Sequence, residues 1–120
     1  MNRERNDSSL SAFSCNLAAH TPEQRKRHTH LFTRLAESYT EIIEMPEGYM
    51  FTFLRNDPLF REIAEWITLE RLCCPFLSFE IEMTEDGGPT WLRLRGRAGV
   101  KEFLAAELGI ESWRAGPAAP

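Results

Sequence analysis

Glu70-Arg71-Leu72-Cys73-Cys74-Pro75-Phe76-Leu77-Ser78-Phe79-Glu80-Ile81-Glu82-Met83 changes its hydrophobic period halfway along. Upstream of Pro75, advancing about 100° per residue puts Leu59, Phe60, Ile63, Trp66 and Ile67 on one apolar stripe, which is the pattern of a helix. Downstream, Leu77, Phe79, Ile81 and Met83 alternate with Ser78, Glu80 and Glu82, the pattern of a strand with one face toward a core. Pro75 separates the two regimes. It cannot continue the helix, and it restricts Cys74 to non-helical backbone.

On the N-terminal side, Asp57-Pro58 reads as an N-cap followed by a proline at the first helical position. Before it, Thr40–Met45 and Tyr49–Leu54 are strand-like and are separated by Pro46-Glu47-Gly48, a hairpin signal; Tyr49, Phe51 and Phe53 share one face. Earlier still, Thr21-Pro22-Glu23-Gln24 carries the signature of a capping box and starts a helix to about Ser38, with His28, Leu31, Phe32 and Leu35 on one side. On the C-terminal side, the turn Glu85-Asp86-Gly87-Gly88-Pro89 leads into Thr90–Arg95. Leu92 and Leu94 face inward there, and Arg93 and Arg95 face Glu80 and Glu82 across the strand pair. Gly96 ends the strand, and Val100, Phe103, Leu104 and Leu108 define a last helix stopping at Gly109.

The order helix, hairpin, helix, hairpin, helix predicts an α+β fold: a four-stranded antiparallel sheet of two hairpins with three helices, packed as a two-layer sandwich. Two hairpins each followed by a helix hint at a repeated ββα unit. The expected domain spans residues 11–112, between a mobile segment 1–10 and a flexible tail 113–120.

Bulk properties exclude several classes. At 120 residues, 42% of them hydrophobic and with eight Phe and three Trp, the chain suits one folded domain rather than a disordered one. A net charge of −4 and the lack of a basic aromatic strand argue against nucleic acid as a partner. Arg25, Lys26 and Arg27 read as a solvated helix face. No apolar run reaches the length of a membrane span, and Met1 to Ser9 lacks the apolar core of a secretion signal. The expected location is therefore the cytoplasm, where thiols are kept reduced. Three cysteines, two of them adjacent, do not make a disulfide framework.

The chemistry concentrates at the end of the central helix. Glu70 projects into the apolar stripe, and Cys73 and Cys74 follow three and four residues later on the same side. A buried carboxylate is costly unless paired, protonated or used. The cysteines have three readings: core filler, since free cysteine packs as a small hydrophobe; ligands of a soft ion, with Cys15 as a third sulfur; or thiol catalysis. A reactive thiolate wants a helix N-terminus or a nearby cation, whereas these thiols sit at a C-terminus beside a carboxylate. Ordinary or raised pKa values are expected, and a metal evades that difficulty by supplying its own charge. A disulfide between the adjacent pair is a strained ring, so redox pairing is not expected.

Glu70 reads equally as a loop anchor or an arginine partner; in the functional reading it orients the site or accepts protons from it. His28 reads as a satisfied core residue, and His30 lies about 200° away from it on the helix, so the two cannot chelate together. His20, five residues after Cys15, is the better candidate for supporting the site. No phosphate-binding glycine loop, dinucleotide fingerprint or Ser/His/Asp arrangement is present.

Cys15-Asn16-Leu17, Glu70-Arg71-Leu72-Cys73-Cys74-Pro75-Phe76, Gly87-Gly88-Pro89-Thr90-Trp91-Leu92 and Val100-Lys101-Glu102-Phe103-Leu104 together resemble a family of small uncharacterised bacterial proteins. The resemblance spans residues 13–109 and implies a bacterial cytosolic origin, but no activity, fold or ligand.

The expectation is a non-catalytic thiol site of Cys73, Cys74 and Cys15, supported by Glu70 and His20, for Zn(II), Cu(I), Hg(II) or trivalent arsenic. The alternative is a structural or self-associating domain with core cysteines, in which a homodimer would cover open sheet edges. A small thiol-dependent enzyme with Glu70 as acid and base is the third reading.

Overall fold

The computed structural model describes residues 15–114. A 3₁₀ turn at Leu17–Ala19 precedes α1 (Pro22–Ser38), β1 (Tyr39–Met45), β2 (Gly48–Phe53), α2 (Asp57–Cys73), β3 (Ser78–Met83), β4 (Thr90–Arg95), α3 (Val100–Leu108) and α4 (Ile110–Arg114). The four strands form one antiparallel sheet in the order β1-β2-β4-β3, so the two hairpins join through their second strands. The α+β architecture expected from the two periodicities is the one observed.

Local chemistry sets the element ends. At α1 the capping box forms in full: Gln24 N donates to the Thr21 hydroxyl at 3.1 Å, and Thr21 N donates to Gln24 Oε1 at 3.0 Å. The cap of α2 falls one residue earlier than expected. Asn56, not Asp57, accepts from Leu59 N, at 2.9 Å, and Asp57 sits inside the first turn, where its charge favours the helix dipole. Gly109 closes α3 in the left-handed region at φ 65°, which a side chain would resist.

Tyr49, Phe51 and Phe53 of β2 and Leu92 and Leu94 of β4 are buried beneath Ile63 and Trp66 of α2, Leu31 and Leu35 of α1, and Leu104 and Leu108 of α3. The bidentate pair Arg27–Glu65 and the pair Arg34–Glu62 stitch α1 to α2 along their exposed sides. On the open face of the sheet, Arg93 meets Glu82 at 3.0 Å and Arg95 meets Glu80 at 3.1 Å, each diagonally across a β3–β4 register that sets Glu80 opposite Arg93.

Two expectations are corrected here. Ile81 and Met83 were expected to face a covered core but are 36% and 55% exposed. They point to the correct side of the sheet, but β3 is an edge strand and its far end extends past the helical layer. The helix count also rises, because α4 follows directly on α3. It carries the chain past the boundary expected at 112 and buries Trp113 against Phe32, Tyr39 and Phe51. The Tyr39 hydroxyl donates to the Trp113 carbonyl, so this last helix is locked to β1. The expected mobile segment 1–10 and the tail beyond residue 114 lie outside the described residues.

Candidate metal centre

Cys73 is the last residue of α2 and Cys74 is its C-cap, with φ −131° and ψ 67°, the departure from helix that Pro75 demands. Cys74 N still donates to Glu70 O at 2.8 Å, which ties the cap to the final turn. The same turn leaves carbonyls without helical partners. Two are taken up by the segment before α1: Asn16 N donates to Cys73 O at 2.8 Å, and His20 Nε2 donates to Leu69 O at 2.8 Å. This docking is what brings Cys15 to the other two sulfurs.

Cys15, Glu70, Cys73 and Cys74 thus form one group whose ligand atoms all lie within 4.8 Å of one another. Glu70, Cys73 and Cys74 are buried, and Cys15 is half-buried. Cys73 Sγ lies 3.7 Å from Cys74 Sγ, 3.5 Å from Glu70 O and 3.9 Å from Glu70 Oε1. The convergence of Cys15, invisible in the spacing, is a property of the fold.

The expectation that no redox pairing occurs is overturned. Cys15 and Cys74 form a disulfide with their Cα atoms 5.1 Å apart, and Cys73 is the free thiol. The strain argument applied to the adjacent pair, and that pair is not the one that bonds. Docking of Asn16 onto the helix end supplies a partner from 59 residues upstream.

The Cys73 thiol is shifted in the direction expected beside a carboxylate. Burial first, and the Glu70 carboxylate second, raise its pKa from the ordinary 9.0 to about 11. Glu70 is not paired with an arginine. Its carboxylate accepts from His28 Nε2 at 2.6 Å, and the His28 ring stacks on Trp66. His28, read from sequence as a core residue, is the direct support of the centre. His20, expected to support the site without ligating it, caps the Leu69 carbonyl and rests its ring 5.2 Å from His28.

Glu107 of α3 was missed. Its Oε2 lies 3.4 Å from Cys15 Sγ. The residue is exposed as a whole, yet crowding of its carboxyl, with repulsion from Glu70 second, raises its pKa against an opposing pull from His28. With Cys15 in a disulfide, the contact has a proton only if Glu107 supplies it. A signal was present: Glu107 follows Val100 by seven and Leu104 by three, positions on the inward side of that helix.

The chain matches no protein-family model, no curated protein and no solved structure, so the reading of this centre rests on its own geometry. Among the described residues, no helix is long and apolar enough to cross a membrane.

Proposed function

We propose that this protein is a non-catalytic thiol receptor for a soft metal ion or trivalent metalloid, held by Cys15, Cys73 and Cys74 with Glu70 as the adjoining oxygen donor. The observation that carries this reading is the convergence of three sulfurs and one buried carboxylate from two distant segments. Thiolates select Zn(II), Cu(I), Hg(II) and their like, and three sulfurs satisfy trivalent arsenic. The spacing agrees: two sulfurs each about 2.3 Å from a tetrahedral ion stand about 3.8 Å apart, and Cys73 and Cys74 stand 3.7 Å apart.

The disulfide occupies two of the three donors, so the oxidised chain is the closed state of the receptor. In a reducing compartment such as the cytoplasm the bond opens. Asn16 still holds its neighbour Cys15 at the helix end by a bond that does not depend on the sulfurs. His28, donating to Glu70, fixes the carboxylate beside the thiols as an outer partner does in metal sites.

The experiment is titration of the fully reduced chain with Zn(II), Hg(II) and arsenite, followed by thiol counting and elemental analysis. Stoichiometric binding of one of them, lost in Cys73→Ser, supports the reading; no binding of any refutes it. A thiol-nucleophile enzyme is the weaker reading, because Cys73 holds its proton up to about pH 11. A self-associating role draws support from Ile81 and Met83, exposed on an edge strand that a second copy would cover.

A further inference from the structure

A cleft of about 190 Å³ opens between α1, α2 and α3, lined by His28, Phe32, Trp66, Glu70, Glu107 and Leu108, with Thr29 at its rim. Phe32, Trp66 and Leu108 give it apolar walls, and Glu70 and Glu107 bring two carboxylates that repel each other. No cysteine, lysine or arginine lines it. Among the described residues, Glu70 Oε1 takes the bonds from His28 and Cys73, and Oε2 takes none. The sealed polar atoms without a partner are Thr52 Oγ1 and Trp66 Nε1. Glu70 Oε2 is not one of them, so it keeps open surface, and the space that this almost wholly buried residue borders is the cleft. A carboxylate oxygen held out of bulk water without a donor costs stability that a ligand's N–H restores.

From these features we infer that the cleft binds a flat organic cation, an aromatic amidine or guanidine, whose N–H groups meet Glu70 Oε2 and the Glu107 carboxylate while its ring lies on the apolar walls. The sign of the charge follows from the lining, since two carboxylates with no basic side chain but an imidazole repel an anion. A bare metal ion does not suit the site. The ligand atoms of His28, Glu70 and Glu107 do not gather within the 4.8 Å that unites the cysteine group. An amidinium spans separated acceptors instead, because its N–H donors project from a planar fork that matches carboxylates. Its delocalised charge is weakly hydrated and is attracted to the faces of aromatic rings such as Phe32. The volume is suitable: an apolar cavity of about 150 Å³ is enough to hold a benzene ring. The inference does not rest on the thiol reading, because the sulfurs lie outside the cleft.

The test is calorimetric titration of the oxidised full chain, in which the Cys15–Cys74 bond closes the thiol site, with benzamidine, its neutral isostere benzamide and the anion benzoate. Wild type is compared with Glu107→Gln and with Thr29→Trp. Glu107 and Thr29 are both exposed, so neither substitution enters the core, and unchanged unfolding midpoints confirm that the variants are folded. Benzamidine should bind wild type roughly tenfold or more tightly than benzamide or benzoate, the worth of one hydrogen bond to a charged group. Glu107→Gln should remove most of that preference, and Thr29→Trp should weaken benzamidine by obstructing the rim. Equal affinity for benzamidine and benzamide, or no binding of any of the three, overturns the inference. So does a benzamidine preference that survives both substitutions, because the cation then binds elsewhere. The thiol receptor stands or falls separately, on the reduced chain.

Discussion

His28 Nε2 stands 2.6 Å from Glu70 Oε1, and the pair joins the middle of α1 to the last turn of α2 beneath a Trp66 ring. The carboxylate is almost wholly buried, while the imidazole keeps about a quarter of its side chain in solvent (23%). The partner that satisfies the charge is thus the one with access to water. This arrangement answers the question that a lone glutamate on an apolar stripe raises: it is paired, and the partner orients it toward Cys73.

His28→Ala removes the imidazole donor from the buried Glu70 carboxylate, and should destabilise the fold by about 1–3 kcal/mol. Glu70→Gln keeps an acceptor for the imidazole N–H and should cost about 1 kcal/mol or less. Urea denaturation of the two variants checks the order. Metal or arsenite affinity should fall in both, because each disturbs the donor beside Cys73.

Cys73 should react slowly with iodoacetamide at neutral pH. Its rate should climb about tenfold per pH unit toward about pH 11, where the thiol ionises. Stability carries the same signature with a defined sign. Unfolding releases the thiol to its ordinary pKa of 9.0, so between 9.0 and about 11 the unfolded chain loses a proton that the folded chain keeps. Stability therefore falls with rising pH across that window, and a Cys73→Ala variant should lack this part of the decline.

How much of this was legible beforehand depends on range. The strands, the hairpin turns and the capping box of α1 follow from periodicity and from residues a few positions apart, and these were readable. So was burial of Glu70, which α2 dictates by itself. The Cys15–Cys74 bond and the His28–Glu70 pair join residues 59 and 42 apart, and helical spacing carries no information about contacts at that range. The exposure of Ile81 and Met83 was missed for a related reason: alternation gives the face of a strand but not how far the helical layer extends. Trp113 was assigned to a tail because Gly109 ends a helix; nothing local shows that Ile110 starts another.

Trp113→Ala should destabilise the fold by about 3–5 kcal/mol, as for other large aromatic truncations in cores. The ring packs on Phe32, Tyr39 and Phe51, and its loss would leave a void at the sheet's inner face. Chemical denaturation of this variant tests whether α4 belongs to the domain.

Asn16→Pro deletes the N–H that donates to Cys73 O and should free Cys15 from the helix end. Under reducing conditions the far-UV circular dichroism should hardly change. Arsenite affinity should drop by roughly tenfold or more, since the third sulfur is no longer held near the others. Calorimetric titration of reduced wild type and variant reads the difference.

The most direct measurement is the arsenic X-ray absorption spectrum of the fully reduced chain loaded with one equivalent of arsenite, compared with the same addition to the oxidised chain. Three sulfur neighbours and no oxygen in the reduced sample, with the unbound oxygen-coordinated spectrum in the oxidised one, is the predicted result. An oxygen-only shell in the reduced protein would contradict a centre built from Cys15, Cys73 and Cys74.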